Sequence, residues 1–254
     1  LHVRSRRQRQ MCIRDRTKTN YKTDFSKIFK PLKTAVLVDL SFFLKRYKTQ
    51  FNVSNSEDIA KRLRHYIYKS VLKNNDYLYR IFIYDCEPLE KDVTLPISKR
   101  QLNLRNTDLF KFRKALLSDL KQQPYCSVRL GNFDANLIQW KFKNYKLFKK
   151  VIHGEVSIQE LKDEDFIMDL KQKGVDMKIG LDMATLANKK QVEKIILITA
   201  DSDFIPAIKL ARKEGIIVQL DPMQNKHIKQ NLLEHLDILN LSLIHISEPT
   251  RRYA

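Results

Sequence analysis

The chain has 254 residues, with 48 Lys and Arg against 29 Asp and Glu, and a formal charge of +19 at pH 7. That excess favours polyanionic partners, and no apolar run approaches the ~18 residues of a membrane-spanning helix. Three cysteines lack metal-ligand spacing and cannot form a disulfide framework, which excludes a zinc ribbon and a stapled secreted scaffold and fits a cytoplasmic protein.

Taken in order, the chain begins with Arg6–Arg16, RRQRQMCIRDR, which reads as a translated sequencing adapter. Leu241–Arg251, LSLIHISEPTR, matches the other adapter of the pair. Residues 1–16 and 241–254 are therefore expected to be non-native and are set aside from fold reasoning. They carry net charges of +5 and +1, so residues 17–240 keep +13. Residues 17–33 are a polar, basic lead-in. Residues 34–240 are expected to form one α/β domain, with a basic insertion at about 99–170.

Thr34–Val38 is a continuous apolar run, as expected of a strand covered on both faces, and it ends in Asp39. Lys45 and Arg46 follow as candidate phosphate contacts. Ser54 and Glu57 have capping-box spacing, and Ile59, Leu63, Tyr66, Ile67 and Val71 mark one face of the next helix. A second strand, Leu78–Tyr84, ends at Asp85. That aspartate reads as a cluster member or as a solvated loop residue before Glu87-Pro88, and the plainer reading is preferred. Residues 105–121 are expected as a helix burying Leu109, Phe112, Leu116 and Leu120. Cys126–Leu130 follows as a short strand ended by Gly131.

Residues 136–150 interleave five lysines with Trp140, Phe142, Tyr145 and Phe148. Lysines on phosphates and aromatics on bases would suit single-stranded nucleic acid. The alternation of Ile138, Trp140 and Phe142 favours core positions for the aromatics and leaves Lys141 and Lys143 for phosphate. The acidic stretch 155–170 is expected as a solvated linker without catalytic role. His227 and His235 lack partner residues and are read as surface or packing histidines.

The stretch 173–204 carries most of the functional signal. Asp176 opens a helix whose apolar face is Ile179, Met183 and Leu186, with Asp182 at its edge. Ile195–Thr199 is a buried strand ending in Asp201-Ser202-Asp203, and Pro206 is tolerated in the first turn of the helix that follows. Another strand, Ile216–Leu220, ends at Asp221. Ligands of open α/β sheets bind beyond the carboxyl ends of the strands, where Asp39 and Asp201 both fall. Neighbouring strands lie about 4.8 Å apart, and two carboxylates ~4 Å apart repel by about 4 kcal/mol at an effective dielectric near 20. Such a cluster must be protonated or bridged by a cation, and oxygen-only ligands suit Mg²⁺ or Mn²⁺. Singly, Asp176 could be a first-turn acid and Asp203 a helix cap. Jointly with Asp39 and Asp201, they are better read as metal ligands.

The segments VLVD, KGVDMKIGLD and ITADSDF resemble the NYN domain, a branch of the PIN-like nucleases, and within it the bacterial LabA-like group. The resemblance runs from about Thr34 to Leu239. It implies a doubly wound, mainly parallel sheet with helices on both faces, and a divalent-metal site cleaving RNA. Asp39, Asp176, Asp201 and Asp203 match the family's acidic positions and would be catalytic and metal-binding. Ser41, Thr199 and Asp182 would support them, and Lys45, Arg46, Lys178, Lys141 and Lys143 would bind RNA, single-stranded or structured. The chain departs from the family in having Leu40-Ser41-Phe42 where many members have Gly-x-Asn, and Ala200 where glycine is usual.

The alternative is an RNA-binding or regulatory module that keeps the fold without activity; a homodimer is left open in either case. A small-phosphoester hydrolase would want an acid two residues after Asp39, and the chain has Ser41. Dinucleotide binding would want a glycine-rich turn after the first strand. Deleting residues 1–16 and 241–254 is expected to leave the melting temperature unchanged. A fall of many degrees in a thermal melt would show that the ends belong to the folded protein.

Overall fold

Burial on both faces defines the central strand, β1 (Lys33–Asp39), in which Thr34 through Val38 are all buried. The computed structural model describes residues 30–50, 55–73, 76–134 and 138–240. All of the elements below lie in one unit, Leu32–Ala254. Helices α1 (Leu40–Gln50) and α2 (Ser56–Lys73) follow β1, and β2 (Tyr77–Cys86) returns beside it. The short strands β3 (Asp92–Thr94) and β4 (Gln101–Asn103) pair with each other. Next come α3 (Asp108–Gln122), β5 (Cys126–Phe133), β6 (Gln139–Phe142) and α4 (Tyr145–Ile152). Strands β7 (Phe166–Asp169) and β8 (Gln172–Lys173) precede α5 (Val175–Asn188). The chain then runs through β9 (Lys194–Ile198), α6 (Ile205–Lys213), β10 (Ile217–Asp221), α7 (Gln230–Leu233) and β11 (Ile238–Leu239).

The main sheet has the order β11-β10-β9-β1-β2-β5-β8. Every pairing in it is parallel except the antiparallel edge pair of β5 with β8. Strand side chains alternate between faces. Ala35, Leu37, Phe82 and Tyr84 therefore pack with Ile179, Met183, Ile208 and Ala211 from α5 and α6. Val36, Val38, Ile81 and Ile83 pack with residues of α1, α2 and α3 on the other side. The architecture is the doubly wound α/β sheet expected, and no described helix is long and apolar enough to cross a membrane.

Several local expectations change. Ser54 lies outside the described residues, and the cap observed at α2 is Asn55, whose Oδ1 accepts the Asp58 amide at 2.8 Å. Leu109 is 65 % exposed, because it sits in the first turn of α3, while Leu116, Leu117 and Leu120 reach the core further along. The acidic stretch is built into the fold. Asp163 accepts the amides of Ile97 and Ser98, and Phe166–Asp169 pairs with Gln139–Phe142. Trp140 and Phe142 are half-buried on one side of that hairpin, with Trp140 Nε1 donating to the Thr94 carbonyl at 3.1 Å.

Strand β5 continues past Gly131, which is buried inside it. A Cβ on Gly131 would lie 2.5 Å from the Lys173 carbonyl and 2.9 Å from Val175 Cγ2. This close approach seats the start of α5, the turn that carries Asp176. Backbone cannot yield as a flexible side chain can, so Gly131→Ala is expected to cost about 1–3 kcal/mol, the usual range for overpacking. Urea denaturation checks this; an unchanged midpoint would mean that α5 does not depend on the contact.

Candidate active site

The topology places a switch point beside β1. From β1 the chain builds outward through β2 to β5, then crosses to β9 and builds the other way through β10 to β11. Connections diverge at that point, which leaves a crevice at the carboxyl ends of β1 and β9. Val38 and Ile198 are paired in register, so Asp39 and Thr199 leave their strands side by side. Helix α5, which leads into β9, contributes Asp176 from its first turn.

Asp39 is half-buried, and its Oδ1 accepts the Phe42 amide at 3.0 Å, which caps the start of α1. Burial pushes its pKa up to about 6; the Phe42 amide opposes the rise, and the charges of Asp176 and Asp85 add to it. Asp176 is also raised, first by local desolvation although the residue is exposed, then by Asp201 and Asp203. Asp201 and Asp203 are both exposed. Their turn is held by two short-range bonds: Thr199 Oγ1 accepts the Asp201 amide at 3.3 Å, and Asp201 Oδ1 accepts the Asp203 amide at 3.0 Å. Asp201 thus caps the short turn Ser202–Phe204, and Asp203 does not cap the helix that follows, whose N-cap is Phe204 without a side-chain bond.

Asp85, expected as a solvated residue, is inside the protein with 1 % exposure. It lies within β2, one position beyond Tyr84, the register partner of Asp39. Its Oδ1 pairs with Arg113 of α3 and accepts the Ser41 hydroxyl at 3.5 Å, while its Oδ2 is buried without a hydrogen-bond partner among the described residues. Burial raises its pKa against the lowering effect of Arg113. The strand-terminal position was a visible signal for Asp85; nothing in the sequence pattern singled out Arg113.

The supporting residues have specific partners. Ser41 Oγ also accepts a bond from Gln172 Nε2 at 3.3 Å. Asp182 bonds no lysine among the described residues. Its Oδ2 accepts the Tyr84 hydroxyl at 2.8 Å and pairs with Arg129 at 3.3 Å, which ties α5 to β2 and β5. Burial and the Asp182 charge push the Tyr84 hydroxyl well above the ordinary phenol range. The candidate phosphate contacts divide. Lys45, Lys143 and Lys178 are exposed, whereas Arg46 donates twice to the Met223 carbonyl, at 3.1 and 3.0 Å, and Lys141 is paired with Asp169.

The donor set suits a hard divalent cation, since it is all carboxylate oxygen. The electrostatic influences run in a chain, Asp85 and Asp176 on Asp39, then Asp201 and Asp203 on Asp176. As the side chains stand, no three His, Cys, Asp or Glu among the described residues are close enough to hold one ion. The carboxylates are neighbours in charge and have not closed into a coordination shell.

The NYN domain family model matches residues 93–238, more than half of the chain. The chain belongs to the NYN domain family. NYN is a nuclease-type domain, and the matched segment contains Asp176, Asp201 and Asp203. Strand β1 with Asp39 precedes it and joins the site through the sheet. No curated protein matches the chain. Among solved structures, a protein of unknown function from Vibrio parahaemolyticus is 14% identical with a TM-score of 0.41, covering 82% of this chain and 91% of that one.

Asp39 gives a pH test. Its folded pKa lies above the ordinary 3.8, so the stability associated with the protonated form is complete below about pH 4 and is lost as pH rises through about 6. Asparagine keeps the acceptor for the Phe42 amide and cannot ionise. Asp39→Asn is therefore expected to gain stability relative to wild type between about pH 4 and pH 7, by up to about 3 kcal/mol for a shift of some two units. Metal-free denaturant midpoints across that range decide it; a variant losing stability at neutral pH would contradict the raised pKa.

Proposed function

We propose that this NYN domain is a divalent-metal-dependent endoribonuclease that hydrolyses RNA phosphodiesters in the crevice between β1 and β9. The observation that carries the reading is the grouping of Asp39, Asp176, Asp201 and Asp203 around the switch point, where desolvation first and neighbouring carboxylates second raise Asp39 and Asp176. Asp39, Asp176 and Asp201 are the proposed ligands, with Asp203 holding a second ion or a bound water. Mg²⁺ or Mn²⁺ would supply an activated water and charge stabilisation at the attacked phosphate.

The chain's own residues do the positioning. The Phe42 amide fixes one oxygen of Asp39, leaving the other for the crevice. Thr199 and the Asp201 turn set the direction of the second strand end. Asp182, through Tyr84 and Arg129, anchors the helix that presents Asp176. Lys178, on that same helix, is proposed to meet substrate phosphate, together with Lys45 on α1 and Lys143 beyond β6. Arg46 and Lys141, which have protein partners, would contribute field more than direct contact. Single-stranded or structured RNA as substrate, cytoplasmic action, and action alone or as a homodimer are parts of the same proposal.

One observation favours a second reading, an RNA-binding module without catalysis. Among the described residues no three carboxylates are within reach of one ion, and Asp201 is occupied in capping its own turn. Incubating the purified protein with labelled RNA, with Mg²⁺, Mn²⁺ or chelator, separates the two. Cleavage requiring metal is expected, with Asp39→Asn and Asp176→Asn each lowering the rate by at least about 100-fold, as for loss of a principal electrostatic group, while RNA binding persists. Binding without cleavage under either metal would select the second reading.

A further inference from the structure

A cavity of about 470 Å³ opens beside the start of α1, and apart from Ser41 and Lys45 on its rim none of the roles above uses its lining. Its lining is mostly apolar, including Leu44, Leu104, Phe110, Phe112, Phe133 and Met168. One wall is different. Ser41, Lys45 and Lys48 stand at i, i+4 and i+7 on α1 and so share a helix face, and all three line the cavity. Lys45 and Lys48 are exposed and form no ion pair with a described residue. Arg113 lines the cavity too, but its charge is taken up by Asp85.

We propose that this cavity is a nucleotide subsite: it takes one base of the RNA strand against its aromatic and aliphatic walls, with the adjoining phosphate on Lys45 and Lys48. The volume falls within the range of small-ligand sites, which combine apolar walls with a few placed polar groups. Three phenylalanines offer faces or edges on which a base can stack, and stacking tolerates any base. The two lysines supply the complementary charge that a purely apolar ligand would not need. The geometry also connects the cavity to the acidic crevice. Ser41 is the second residue after Asp39, its hydroxyl bonds Asp85, and it lines the cavity, so the cavity adjoins the end of β1. This inference rests on RNA being the substrate. It goes further in making the cavity select an unpaired nucleotide, since a base held in a duplex cannot enter.

The test is binding of ribonucleoside 5′-monophosphates to the full chain in chelator, by calorimetry, with inorganic phosphate as the control. Dissociation constants at or below about 1 mM are expected for nucleotides, with phosphate much weaker. Lys45→Ala with Lys48→Ala should weaken nucleotide binding about tenfold or more. Leu109→Glu, at an exposed position on the cavity wall, should do so without unfolding the protein, as circular dichroism would verify. Equal binding of phosphate and nucleotide, or no change in Leu109→Glu, would overturn the subsite, as would no nucleotide binding at all. The outcome is separable from the cleavage experiment. Nucleotide binding in a protein that cuts no RNA would leave the subsite standing and remove catalysis, and cleavage insensitive to Leu109→Glu would do the reverse.

Discussion

Incomplete neutralisation of carboxylates at one edge of the sheet is the constraint from which the rest of the site follows. Parallel strands all deliver their carboxyl ends to the same edge, and here four of them, β1, β2, β9 and β10, reach that edge with an aspartate at or just past the end. Their environments differ. Asp221 of β10 is fully engaged, accepting the Tyr66 hydroxyl, the Asn240 amide at 3.0 Å and the Met223 amide at 3.0 Å. Asp85 of β2 has Arg113 and the Ser41 hydroxyl for one oxygen and no partner among the described residues for the other. Asp39 has amides at the start of its own helix, Phe42 foremost, and Asp176 has acids for neighbours. Negative charge is thus satisfied at β10 and left over at the switch point and at Asp85 beside it.

The opposite edge is built differently. Lys194, at the start of β9, pairs with Asp76 at 2.8 Å, both buried, and the other Asp76 oxygen accepts the Leu32 amide at 3.1 Å. A buried pair completed by further hydrogen bonds can offset its desolvation, and removing one partner leaves an uncompensated charge. One end of the sheet is therefore electrically closed and the other open. An open end costs stability in the free protein, and a bound cation or an approaching ligand can relieve that cost.

Much of this was legible in the sequence because it rests on short-range pattern. The unbroken apolar runs at Ala35–Val38 and Ile195–Ile198 are strands buried on both faces, and Ile179, Met183 and Leu186 are the buried face of α5. The aspartates at the strand ends followed from those runs. What could not be read depends on pairings distant in the chain. Asp85 is held inside by Arg113, on a helix whose own pattern gives no sign of it. Lys141 is neutralised by Asp169 across a hairpin that was expected to be a linker on one side. Leu109 fits the helical period, yet its turn lies over an open cavity instead of the core. Leu109 and Asp85 were thus placed on the wrong side of the surface by local pattern alone, because tertiary packing decided what covered them.

The most direct measurement is the titration of the aspartate carboxyl carbons by NMR, with Asp39 assigned by the Asp39→Asn spectrum, in chelator and then in Mg²⁺. The expected result is an Asp39 carboxyl that titrates near pH 6 without metal and moves below the ordinary carboxylate range when the cation is bound, since an adjacent positive charge favours the ionised form. An Asp39 that titrates at its ordinary value in chelator, or whose raised pKa is indifferent to Mg²⁺, would contradict a frustrated, cation-seeking cluster at the switch point.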